Sequence, residues 1–121
     1  MNIKRLCVAV LFAGAAFAAH AADNATLTDC VDLGSDQEIV RGGSTSNFLL
    51  RDGDSHYRVG LVRSCDALPI ASSVEITSNG THDRLCPRDS TVKTNRGSCD
   101  VGDVETLDAE QFAKLKRRAR R

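Results

Sequence analysis

Apolar residues follow three rhythms along this 121-residue chain. Leu6 to Ala19 is an unbroken uncharged run of 14 residues. From Gln37 onward, apolar and polar residues alternate in short stretches bounded by Gly, Asn, Asp and Pro. The last dozen residues place Ala109, Phe112, Leu115 and Ala119 at intervals of three and four. Alternation marks half-buried strands, and spacing near 3.6 marks a helix.

The alternating region predicts strands over Gln37–Arg41, Asn47–Arg51, Ser55–Arg63, Ser73–Thr77, Thr81–Cys86, Thr91–Lys93 and Cys99–Leu107. Asp52-Gly53 and Asn79-Gly80 are hairpin signals, because a tight turn between strands needs positive φ. Asn95-Arg96-Gly97 supplies a third turn, and Gly102 a bend in the last strand. Tyr57, Val59 and Leu61 share one face with Phe48 and Leu50 as partners; His56, Arg58, Gly60 and Val62 take the other. Asp108 is an N-cap and Gln111 completes a capping-box pair for the terminal helix. Glu110 and Lys114 are spaced for a stabilising pair. Such a helix is marginal alone and must dock through Phe112 and Leu115, with its last turn frayed. These elements predict a mostly β domain: a small antiparallel barrel or sandwich of 6–7 short strands with one C-terminal helix. The barrel is preferred, because the strands are short and the chain cannot fill two sheets.

The opening run changes the picture of where this domain works. Lys4-Arg5 precedes it and Ala19-His20-Ala21 follows as a small-x-small site, the pattern of a cleavable signal peptide over residues 1–21. A membrane span would need about 20 residues. Neither Cys7 nor Cys30 follows the small residues of a lipoprotein site. Residues 22–36 read as an irregular lead-in, 37–113 as the β domain with the start of the helix, and 114–121 as a basic tail.

Residues 22–121 keep only Phe48, Tyr57 and Phe112 as aromatics, so their core is poor in large side chains. Cys30, Cys65, Cys86 and Cys99 compensate. An even number of cysteines in a small exported domain predicts two disulfides. A metal site would show a close pair, and the gaps here are 35, 21 and 13 residues. Three pairings are open; the favoured one joins Cys86 to Cys99 across a hairpin and leaves Cys30 to Cys65.

A family resemblance rests on the run Tyr57-Arg58-Val59-Gly60-Leu61 to Cys65-x-x-Leu68, on Leu85-Cys86-Pro87-Arg88-Asp89-x-x-Val92, and on Cys99-Asp100-Val101 with Val104-x-x-Leu107. Over residues 37–110 this pattern resembles an uncharacterised family of small exported proteins of Gram-negative bacteria, a domain of unknown function. The resemblance implies an exported β fold and no activity.

The residues carry little catalytic chemistry. No Gly-x-Ser-x-Gly, phosphate-loop or His-Glu-x-x-His motif occurs. His56 follows Asp52-Gly53-Asp54-Ser55, but neighbours in a strand point to opposite faces and do not make a triad. The same stretch lacks the Gly and Glu of a calcium loop, since Arg63 stands at the twelfth position. His82-Asp83-Arg84 reads as a solvated hairpin. Asn24-Ala25-Thr26 and Asn79-Gly80-Thr81 match a glycosylation triplet by coincidence if the Ala-rich leader is bacterial. No catalytic residue, cofactor or metal is expected.

Charge is asymmetric. The chain is neutral with 16 basic and 16 acidic residues, but six cations fall in the last eight positions: Lys114, Lys116, Arg117, Arg118, Arg120 and Arg121. Residues 22–113 hold eight basic and sixteen acidic residues, a net −8. The tail is thus a candidate site for an anionic lipid or another envelope polyanion. The missing aromatics weigh against nucleic acid. The expected function is a non-enzymatic periplasmic or secreted domain that binds a protein or envelope polyanion. A small hydrolase, or a hydrolase inhibitor, is the alternative.

Overall fold

The computed structural model describes residues 25–120; the expected leader lies outside them. The described chain is mostly β, with nine strands and one helix in the order β1 (Val31–Asp32), β2 (Gln37–Val40), β3 (Asn47–Asp52), β4 (Ser55–Leu61), β5 (Val74–Ser78), β6 (Thr81–His82), β7 (Arg84–Leu85), β8 (Ser90–Thr94), β9 (Gly97–Leu107) and α1 (Ala109–Ala119). Seven strands form one curled antiparallel sheet, β2-β3-β4-β9-β8-β5-β6, and β1 pairs with β7 as a short ribbon. Leu33 N and the Gln37 side chain both bond to Asp83, at 2.7 and 3.0 Å, which draws the start of β2 to the β6–β7 corner. The curl is therefore of barrel type, bridged through Asp83 rather than closed by a ladder.

Alternation places the core as expected. Phe48 pairs with Val59 and Leu50 with Tyr57, and all four are buried on the inner face with Ile76, Leu85, Val92, Val101 and Val104. Asn79 and Gly80 both take positive φ, 49° and 81°, and turn β5 into β6. Between β4 and β9 the register shifts, since Val59 faces Val104 but Leu61 faces Val101. Gly60 stands opposite Gly102 and Asp103 at this bulge, where a Cβ on Gly60 would come 3.2 Å from the Asp103 carbonyl oxygen.

The stretch 25–36, expected to be irregular, is pinned at two places. β9 has eleven residues, and β8 pairs only with Gly97–Asp100 on one of its edges. Farther along that edge, Thr26 bridges to Glu105, Leu27 N bonds to Val104 O at 2.7 Å and Thr106 N to Ala25 O at 2.8 Å. β1 then carries Leu33 to the core rim.

Two disulfides form, with partners other than those favoured from the sequence. They join Cys30 to Cys86 and Cys65 to Cys99. The β1–β7 register sets Val31 against Leu85, so Cys30 falls directly across from Cys86. Cys99 lies on β9 opposite Val92, whereas Cys86 lies before β8, beside Ser78 and Ser90; these two cysteines do not face each other. The chain leaving β4 runs on beside β9, with Val62 N bonded to Asp100 O at 3.0 Å, and so delivers Cys65 to Cys99.

α1 begins at the Asp108–Gln111 box: Gln111 N donates to Asp108 Oδ1 at 2.7 Å, and Asp108 N to Gln111 Oε1 at 3.0 Å. Leu107 before the cap packs with Phe112, a hydrophobic staple. Phe112, Leu115 and Ala119 lie over Val40 and Leu49 on the outer face of the sheet. Ala109, placed on this stripe from its spacing, is exposed, because the first turn has not yet reached the sheet. The helix persists to Ala119 with Arg120 as C-cap, so most of the segment read as a tail is ordered helix.

Candidate functional site

Among the described residues, neither His56 nor His82 is hydrogen-bonded to a Ser, Thr or Cys side chain. The ring of His56 lies 4.9 Å from that of Phe112, under the helix. The neighbouring Asp52 carboxylate accepts from Gly34 N at 2.9 Å instead of reaching His56. His82 Nδ1 meets Glu75 on open surface, where the His82 side chain is 67% exposed. Among the described residues no group of three or more His, Cys, Asp or Glu side chains is placed to hold a metal ion. No described helix is long and apolar enough to cross a membrane.

The terminal cations divide into two sets. On one flank of α1, Lys116 Nζ lies 2.5 Å and Arg120 Nη2 3.7 Å from Glu38 on β2. Arg51 reaches the other Glu38 oxygen at 3.4 Å and Asp36 at 3.2 Å. The Lys116 hydrogen bond, with Arg51 behind it, holds the Glu38 carboxyl below its ordinary range despite partial burial. This cluster fixes the helix to the sheet. Lys114, Arg117 and Arg118 form no ion pair among the described residues, and the expected Glu110–Lys114 pair is not made. Arg121 lies outside the described residues.

On the flank of α1 opposite Glu38, two open cavities of about 220 and 200 Å³ share Arg58, Leu115 and Arg118. Together they form a groove along the helix from Gln111 to Ala119. Val40, Leu49, Leu107 and Leu115 give it an apolar floor; Arg58, Lys114 and Arg118 supply cations. Arg58 rises from the outward face of β4 and gives one Nη2 contact to Glu105 Oε2 at 2.7 Å. Its other guanidinium donors have no protein partner among the described residues. At one end, Gly42 (φ 58°) presses on Ala119, where a Cβ would come within 2.6 Å.

Arg58 is the groove residue missed from the sequence. Its outward direction is legible in the β4 alternation. Which strands the helix would cover is not.

A third cavity, about 480 Å³, opens on the outer face of β5, β8 and β9. Its lining is of mixed sign, with Arg88 and Lys93 beside Asp89 and Asp100. Arg88 has a positive φ of 65° at the third position of the Cys86–Asp89 turn, after Pro87.

Fold and site together describe a disulfide-stapled β domain carrying a cationic amphipathic helix on one face. No protein-family model, curated protein or solved structure matches the chain.

Proposed function

We propose that this chain is a non-enzymatic, exported binding domain, acting in the periplasm or outside the cell, that engages an anionic envelope partner through α1. Two disulfides support a compartment outside the reducing cytosol. The observation that carries the reading is the placement of Lys114, Arg117 and Arg118. All three lack an acidic partner among the described residues, on a helix that Phe112 and the Glu38–Lys116 contact hold in place. A helix fixed in this way presents its charges without a further ordering cost. Each cation beside an anionic membrane surface contributes about 1 kcal/mol, and the three together amount to roughly a hundredfold in affinity.

The test is co-sedimentation of the oxidised protein with phosphatidylcholine vesicles, with and without phosphatidylglycerol. Binding is expected only with phosphatidylglycerol. It is expected to weaken with salt as the Debye length falls below about 8 Å, and to be lost in the K114Q/R117Q/R118Q variant. Equal binding by that variant would remove the reading.

A further inference from the structure

We propose that the groove between α1 and β4 binds a lipid phosphate, with the phosphate on Arg58, Lys114 and Arg118 and one alkyl chain along the apolar floor. The proposal rests on the anionic-partner reading and names its ligand class and site.

Charge selection is the first argument. Residues 22–113 carry a net −8, yet among the described residues no carboxylate lines either half of the groove, Glu105 touching it through Arg58. The cavity across β5 and β8, in the same acidic body, is lined by two. Arg58, Lys114 and Arg118 reach the groove from strand and helix, and all three line its Gln111 half. Guanidinium groups suit phosphate oxygens, which accept two parallel N–H donors from one side chain. Glu105 occupies one contact of Arg58 and the remaining donors face no protein group among the described residues.

Shape is the second argument. The floor is aliphatic, from Leu107 and Leu115 at one end to Val40 and Leu49 at the other. A bare inorganic anion would leave it unused. Gln111 to Ala119 spans about 12 Å at 1.5 Å per residue, room for a short chain lying along the helix. A peptide strand finds no free edge on β3, paired by β2 and β4, or on β4, paired by β3 and β9; the edge strand β2 reaches only the Ala119 end of the groove.

The experiment titrates the oxidised protein with dihexanoyl phosphatidic acid below its micelle concentration, following backbone amide shifts by NMR. Inorganic phosphate, dihexanoyl phosphatidylcholine and an oligoglutamate peptide are parallel titrants. Phosphatidic acid is expected to bind at least about tenfold tighter than the other three. Shifts should concentrate on Leu49, Arg58, Leu115 and Arg118. R58Q should weaken binding about tenfold. N47W, which fills one end of the groove without removing a cation, should weaken it similarly while thermal unfolding stays near wild type. R117Q, on the side of the helix away from the groove, should leave this titration unchanged.

Unchanged binding in both R58Q and N47W would overturn the proposal. So would equal affinity for inorganic phosphate, or tighter binding of oligoglutamate. If phosphatidylglycerol vesicles still capture R58Q and N47W as they do the wild type, while K114Q/R117Q/R118Q is lost, the groove falls and the cationic-helix reading stands. If the wild type ignores vesicles but binds soluble phosphatidic acid through Arg58, the membrane reading falls and the groove stands.

Discussion

The outer surface of the sheet is two different surfaces. Over β2, β3 and β4 it is apolar and lies beneath α1, with Val40, Leu49 and Leu107 buried against Phe112. Over β5 and β8 it is polar and carries no helix, with Glu75 opposite Lys93 and the buried Thr77 opposite Thr91. Both halves line the same inner core, so alternation alone does not separate them. What differs is how each is secured. Cys30–Cys86 lies on the side away from the helix, with Cys86 beside Ser78 of β5, while Cys65–Cys99 joins the chain leaving β4 to β9 opposite Val92 of β8. β2 and β3 carry no cysteine and depend on packing under α1 and on the Glu38 cluster, while β4 is tied to β9 through Cys65 just beyond its end. The amphipathic helix gives β2 and β3 a second apolar layer.

The largest effect should come from removing the long covalent tie. Cys30 and Cys86 are 56 residues apart. Replacing both with Ala should cost about 4 kcal/mol by the loop-entropy relation, read as a lower urea midpoint. Loss of the α1 docking signal before the β5–β8 signal in that variant would contradict the division of labour. Next, Phe112→Ala should cost about 3 kcal/mol and release α1, while both disulfides still form. Hydrogen exchange should then rise in α1 and over Val40 and Leu49, and stay protected in β5 and β8. A uniform rise would mean that the two halves are one cooperative unit.

The Glu38 contact gives a smaller, pH-dependent effect. Its carboxyl lies below the ordinary value of 4.5, first because of Lys116. A depressed folded pKa adds stability that is present above the unfolded value and lost as pH falls through the folded one. Stability of the helix-covered half should therefore decline on acidification below about pH 4.5. Glu38→Gln should remove that dependence and cost up to about 1 kcal/mol at neutral pH, since the pair is partly screened. Thermal melts of both proteins across this range check it. As a control on the half without a helix, Lys93→Gln should shift stability by no more than about 0.5 kcal/mol.

Much of this architecture is legible in the sequence where a local rule decides it. Tyr57, Val59, Phe48 and Leu50 could be assigned to one face because alternation has a period of two. The helix start at Asp108 and the turn at Asn79-Gly80 follow from short-range hydrogen bonding and positive φ. The disulfide partners were not legible, because the register that aligns Cys30 with Cys86 belongs to a ladder of two residues per strand. So short a strand has no periodicity to read. The groove was hidden for a related reason: Arg58 and Arg118 are 60 positions apart, and only the docking direction of α1 brings them together.

The anchoring of Ala25 and Leu27 along β9 governs the order of assembly. A chain emerging from the ribosome N-terminus first has had its opening segment free for nearly its whole synthesis before Val104 and Thr106 exist to receive it. Contacts this remote in sequence slow folding. The contacts of Ala25 and Leu27 therefore close only once β9 has been made.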